Sequence, residues 1–171
     1  GPSLMIKKIL LEVGIKRLMF LSLYYGLLRY LPRSSFPVVG KTSNYLRFCC
    51  CKQIFKSCGK NVTVERMAFF GSGIDIEVGD NSGIGRNCFI PSNTIIGKDV
   101  LIGPNFYIHN RNHAFENLDV PILEQKYKPQ LQAIIDDNVV IYPNCYIGEN
   151  VHIKTGSIIY PNVSIYRDTI I

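Results

Sequence analysis

Three histidines, His109, His113 and His152, are the chain's only imidazoles, and two of them fall four residues apart in one short stretch. That stretch, residues 109–134, also holds Phe115, Asp119, Pro121, Glu124 and Tyr127. Imidazole ordinarily titrates closest to neutrality, so a histidine there can accept a proton or hold a metal ion. The six cysteines, Cys49, Cys50, Cys51, Cys58, Cys88 and Cys145, are the other candidate nucleophiles or ligands. None has C-x2-C spacing, and the run at 49–51 reads as adjacent strand positions, from which three thiolates do not converge on one ion. No secretion signal is recognisable, so free thiols in a reducing cytosol are expected.

What must position these groups is a repeat. Val78, Ile84, Ile90, Ile96, Ile102 and Ile108 recur every six residues, and the same spacing resumes at Ile135, Ile141, Ile147, Ile153, Ile159, Ile165 and Ile171. Two residues before each stands a residue that is mostly small or β-branched, such as Ser82, Cys88, Thr94, Val100, Val139 or Cys145. Side chains at i and i−2 of a strand share a face, so each hexad sends two side chains inward. Cys88 and Cys145 are then packing residues. Gly, Asn, Asp and Pro punctuate the hexads, as in Gly79-Asp80-Asn81, Gly103-Pro104-Asn105 and Gly148-Glu149-Asn150, where sharp bends are expected. The period fits neither a helix nor one long strand; it predicts short strands coiled into a stack, since no hexad buries its face alone. The ladder stops between Ile108 and Ile135, where the histidine stretch lies.

The chain has 171 residues and 47% hydrophobic composition, enough for one domain with a sizeable core. Its net charge of +6 is uneven. Residues 1–60 hold eleven Lys and Arg against one acid, Glu12, a balance of +10, and the remainder carries −4. Gly1-Pro2-Ser3-Leu4 ahead of Met5 reads as the scar of a cleaved tag. Residues 5–31 read as a helix ended by Pro32; their longest uncharged run, Leu18–Leu28, falls short of the roughly 20 residues that cross a bilayer. This helix either docks on protein or lies on a membrane surface with Lys7, Lys8, Lys16, Arg17 and Arg29 toward head groups. Nucleic-acid binding is not indicated, because the segment is too apolar and carries no recognition motif.

The hexads resemble those of the hexapeptide-repeat acyltransferases. That resemblance implies a mainly β fold, a left-handed parallel β-helix, with an N-terminal helical segment over 1–57 and the β-helix over 58–171, interrupted by a protruding loop at 109–134. The stretch 99-DVLIGPNFYI-108, then Asn112-His113, the loop, and 135-IDDNVVI-141 is similar to the maltose and galactoside O-acetyltransferases. It resembles the O-acetyltransferases of bacterial capsule and lipopolysaccharide synthesis more closely, as does 31-LPRSSFP-37.

The resemblance implies an acetyl-CoA-dependent O-acetyltransferase acting on a saccharide hydroxyl, in the cytoplasm or at the inner face of the cytoplasmic membrane, as a homotrimer with acetyl-CoA at a subunit junction. His113 stands where the family has its general base. A sugar hydroxyl attacks a thioester poorly, and an imidazole taking its proton in the transition state supplies roughly 10²–10⁴-fold. Asp119 and Glu124 are candidates to fix the imidazole tautomer or to bind the sugar, and Asn87 is a candidate sugar contact. Tyr142, Lys154, Gly156 and Tyr160 are candidates to bracket acetyl-CoA, with the hexad register leaving the coil open by six. His109 and His152 are expected to point outward and to serve the surface. Val140 and Tyr142 stand where many relatives have Trp and Gly. The alternatives are a zinc enzyme like the γ-class carbonic anhydrases, which requires three histidines around one ion, and a non-catalytic β-helix scaffold. No metal is expected for the acetyltransferase.

Overall fold

The computed structural model describes residues 4, 7, 14–109, 117–126 and 131–171. His113, Phe115 and Tyr127 lie outside them. Two helices precede a parallel β-helix. Helix α1 is Ile15–Gly26 and helix α2 is Gly40–Ile54, with a single 3-10 turn, Leu28–Tyr30, between them. The strands are two or three residues each: β1 Ser57–Cys58, β2 Thr63–Val64, β3 Glu77–Val78, β4 Gly83–Ile84, β5 Thr94–Ile96, β6 Leu101–Ile102, β7 Tyr107–Ile108, β8 Ala133–Ile135, β9 Val140–Ile141, β10 Tyr146–Ile147, β11 His152–Ile153, β12 Ile158–Ile159 and β13 Ser164–Ile165.

They form three flat faces. The first is β1-β3-β5-β8-β11, the second β2-β4-β6-β9-β12, and the third β7-β10-β13, all with parallel pairing. Bridges from Phe69 to Phe89 and from Phe89 to Tyr107 carry the third face back to the first coil. Stacked residues on neighbouring coils are 18 apart, as in the side-chain bonds of Asn87 to Asn105 and Asn150 to Asp168. The step is 20 between the first two coils, where the sequence shifts phase, and 39 across the interrupted coil.

The ladder points inward along almost its whole length. Val78 through Ile153 are at most 3% exposed at every ladder position, and only Ile171, on the open last coil, reaches 43%. Cys88 and Cys145 are buried in the smaller inward position. The corner glycines act differently from the expectation. Gly79 has no positive φ; a Cβ on it would lie 2.5 Å from the carbonyl carbon of Gly97 in the next coil. Gly85 is held against Gly103 in the same way. These glycines let coils stack closely. The left-handed backbone falls instead to an Asn or Asp at the corners: Asn61, Asn81, Asn87, Asn93, Asp99, Asn105, Asn138, Asn144, Asn150, Asn162 and Asp168 all have φ between 54° and 63°. Among described non-glycine residues only Val38 and Met67 break this pattern.

Helix α2 was not foreseen as such. Cys49, Cys50 and Cys51 lie on it, about 100° apart around its axis, rather than on strand positions. Its buried face, Ser43, Arg47, Cys50, Cys51 and Ile54, recurs at three- and four-residue steps. With Tyr24 and Leu28 it plugs the open end of the first coil against Val62, Val64, Ala68 and Phe70. The Tyr24 hydroxyl donates to the Ala68 carbonyl at 2.8 Å, and Tyr25 to Gly71 at 2.7 Å. Without this cap the apolar end of the coil stack would face water.

Burial also sets an alkaline limit on the fold. It pushes the Cys88 thiol from its ordinary 9.0 up to about 12, and Cys50 and Cys58 up to about 11. In the unfolded chain these thiols ionise near 9, so above that pH the unfolded state binds fewer protons than the folded one and stability falls. The urea midpoint is therefore expected to drop between pH 8 and pH ~10.5 under reducing conditions. An unchanged midpoint would show that the thiols are not buried as described.

Candidate functional site

The candidate residues are distributed around the prism in a definite way. The third face carries an outward row of aromatic rings. Phe69 stacks on Phe89 at 5.5 Å, Phe89 on Tyr107 at 4.7 Å, and Tyr107 on Tyr146 at 5.6 Å, with interplanar angles of 8°, 15° and 4°. They stack because one outward position per hexad lands at the same height in successive coils. Phe69, Tyr107 and Tyr146 are 39–41% exposed.

His109 closes one edge of this face. It follows β7, its N–H donates to the Ile147 carbonyl at 2.8 Å, and its ring is 6.3 Å from that of Tyr146. The interrupted coil departs there, so His113 is four residues along the chain from a fixed corner. Asp119 and Glu124 are exposed on the described part of the excursion, Glu124 in a 3-10 turn, Ile122–Glu124.

Asn87 stands at the opposite edge, the corner leading into the third face. It has φ 54°, and its amide donates to Asn105 Oδ1 at 3.3 Å, with Asn105 donating in turn to Asn144 at 2.9 Å. Asn105, in the same column, is four residues before His109, about 13 Å at ~3.3 Å per residue. One subunit therefore separates Asn87 from the root of the histidine loop by the full width of the face.

Asn87 lines a cavity of about 500 Å³. Arg33, Arg66 and Arg86 open onto it with Tyr30, Phe36 and Met67. Its outer wall is the segment after α1, which Arg47 ties down. The Arg47 side chain is 0% exposed; its Nε donates to the Val64 carbonyl at 2.6 Å, Nη1 to Leu31 at 3.1 Å and Nη2 to Pro32 at 3.0 Å. Glu65 Oε2 lies 3.9 Å from Nη2. Burial pulls the Arg47 pKa down, and Glu65 opposes that shift.

The remaining candidates border the second face. Tyr142 and Tyr160 stack at 6.0 Å and 7° on one of its edges. Lys154 and Gly156, the latter at φ 82°, lie at the other edge, after β11. Between them the outward side chains of the paired strands β6, β9 and β12 are Leu101, Val140 and Ile158, with Leu101 60% and Ile158 54% exposed. The four candidates thus bracket one apolar strip rather than clustering.

His152 is more than a surface residue. Its Nε2 lies 2.9 Å from Asp136 Oδ2, both side chains a third exposed. The 18-residue coil sets His152 beside Ile134, which brings Asp136 within reach. Among the described residues no group of three or more His, Cys, Asp or Glu is placed to hold a metal. Sequence reading missed Arg47, the arginine cavity and the His152–Asp136 pair; only the coil period could have pointed to the last.

No family model matches the chain. A solved hexapeptide-repeat acetyltransferase from Vibrio cholerae superposes with a TM-score of 0.65 at 20% identity, covering 93% of this chain and 86% of that one. The chain has the left-handed β-helix fold of the hexapeptide-repeat acetyltransferases. The same Vibrio protein in complex with acetyl-CoA gives a TM-score of 0.56 at 19% identity, over 92% of this chain and 84% of that one. A maltose O-acetyltransferase from Clostridium difficile gives 0.53 at 24% identity, over 91% of this chain and 80% of that one. In sequence, a putative lipopolysaccharide biosynthesis O-acetyl transferase, WbbJ, of Escherichia coli K12 is 29% identical over 109 residues, 62% of this chain. The chain spans 55% of that relative's length.

Proposed function

We propose that the chain is an acetyl-CoA-dependent O-acetyltransferase that acetylates a saccharide hydroxyl in surface-polysaccharide synthesis. One observation carries this reading. A coil that otherwise repeats every 18 or 20 residues takes 39 at one place, and the sequence of that place includes His113. A long excursion from so regular a scaffold is where function is carried.

In this reading His113 takes the proton of the attacking hydroxyl, the oxygen adds to the thioester carbonyl, and the intermediate collapses with the proton passing to the departing thiolate. Asp119 or Glu124 fixes the imidazole tautomer or binds the sugar. Acetyl-CoA lies along the strip of Leu101, Val140 and Ile158, between Tyr142 and Tyr160 on one side and Lys154 and Gly156 on the other. Asn87 and His109, the root of the histidine loop, stand at opposite edges of one face, an arrangement that suits an acceptor site shared between the Asn87 of one subunit and the loop of another. The aromatic row between them is an apolar surface suited to burial against another copy, which supports a homotrimer.

The test is release of free thiol from acetyl-CoA with a panel of sugars and sugar conjugates. Acceptor-dependent release supports the reading; release equal with and without acceptor, or none, opposes it.

The reading also places the protein in the cytoplasm, at a membrane's inner face. The solvent side of α1 shows Ile15 at 68%, Met19 at 67% and Leu23 at 43% exposure, and no acid occurs from residue 15 to 54. Such a basic, apolar surface suits anionic head groups. No described helix is long and apolar enough to cross a membrane. Removing residues 5–31 would strip Tyr24 and Leu28 from the core, so the fair variant is Met19→Glu with Leu23→Glu. It is expected to abolish co-sedimentation with anionic vesicles; undiminished co-sedimentation would contradict surface binding.

A further inference from the structure

We propose that the cavity framed by Arg33, Arg66 and Arg86 binds the phosphate or diphosphate of an activated sugar, so that the acceptor is a phosphate-linked saccharide. The inference rests on the acetyltransferase reading only for the word acceptor; anion binding stands or falls without it.

Three arginines line one space of about 500 Å³, and no described carboxylate forms an ion pair with any of them. One acid, Glu65, lines a smaller cavity that shares Arg33 and Arg86. Its carboxylate is already engaged: it accepts from the Ser34 backbone N–H at 3.1 Å and from the Ser34 hydroxyl, and faces Arg47. Arg66 is held in place by its Nε, which donates to the Tyr30 carbonyl at 3.1 Å. Three like charges gathered without a counter-charge repel one another, and an anion between them relieves this. The planar fork of arginine fits phosphate oxygens two at a time.

The rest of the wall suits what a sugar phosphate carries. Tyr30 and Phe36 expose 49% and 53% of their surface at the mouth, ring faces for a sugar, a base or an isoprenoid. Asn87 adds an amide at the edge leading to the aromatic face. Met67 has φ 65° at the turn position where later coils carry Asn or Asp. A side chain of this kind is disfavoured there by roughly 1–2 kcal/mol. The chain keeps an apolar wall at this point in spite of that strain, which is the pattern seen at ligand sites.

Two sources share this chemistry: a nucleotide-linked sugar and a lipid-diphosphate-linked sugar. Calorimetric titration with inorganic pyrophosphate, without acetyl-CoA, is the direct test. The wild type is expected to bind it in a salt-dependent way, and Arg33→Gln with Arg86→Gln, both exposed and outside the core, to weaken binding by about tenfold per guanidinium removed. Displacement by uridine diphosphate glucose would assign the nucleotide source, and displacement by geranyl diphosphate the lipid source. Absence of pyrophosphate binding, equal binding by the variant, or displacement by neither compound would overturn the proposal. So would a variant that loses acetyl-CoA binding in place of pyrophosphate binding, since the arginines would then serve the donor. A protein that binds pyrophosphate at this site yet transfers no acetyl group would retain this inference and refute the acetyltransferase reading.

Discussion

Replacing His113 by alanine is expected to lower kcat for acetyl transfer by about 10²–10⁴-fold, with KM for acetyl-CoA little changed. A sugar hydroxyl keeps its proton at neutral pH, so an attack without a base must place positive charge on the oxygen. In the proposed mechanism the imidazole removes that charge as it forms, in the transition state and not in the ground state, so the loss belongs to kcat. The wild-type rate should fall at acid pH, where a histidine base is protonated and cannot accept the hydroxyl proton. That limb should vanish from the residual activity of His113→Ala. Replacing His109, whose ring lies against Tyr146, should cost far less. If His113→Ala retains the wild-type rate and pH profile, the base is elsewhere, and the His152–Asp136 pair becomes the next group to remove.

Replacing Arg47 by methionine is expected to destabilise the fold by about 3–5 kcal/mol. Methionine restores much of the volume but leaves the carbonyls of Val64, Leu31 and Pro32 without their donor and Glu65 without its buried counter-charge. Arg47→Lys should not rescue the fold, because one ammonium cannot reach acceptors that a planar guanidinium spans. The same bonds hold the segment carrying Tyr30, Arg33 and Phe36 against the first coil. Any folded remainder should therefore bind pyrophosphate poorly. Denaturant midpoints of wild type, Arg47→Met and Arg47→Lys check the first part; a shift under 1 kcal/mol would mean that water replaces the lost donors.

The β-helix was legible because its physics is local and repeated. Each ladder position must be aliphatic, each tight corner needs Gly, Asn or Asp, and the period of six exposes both demands at once. The interruption was legible for the same reason, as a break in a regular signal. Arg47 was not, because an arginine in a helix ordinarily reads as a solvated charge. The carbonyls of Leu31 and Pro32, just beyond the 3-10 turn at Leu28–Tyr30, and that of Val64 turn it inward. The arginine cavity was illegible because residues 30–36, 66–67 and 86–87 meet only in three dimensions. Met67 gives the one faint local sign, a residue out of keeping with its turn position.

The central claim is that an acetyl group passes from the thioester to a sugar oxygen. Carbon-13 NMR of acetyl-CoA labelled at the carbonyl, incubated with the protein and a diphosphate-linked sugar, follows that carbon directly. The account predicts that the thioester resonance is replaced by that of an ester on the sugar with wild type and persists with His113→Ala. A thioester that persists with both proteins, or a product resonance of free acetate or an amide, would contradict it.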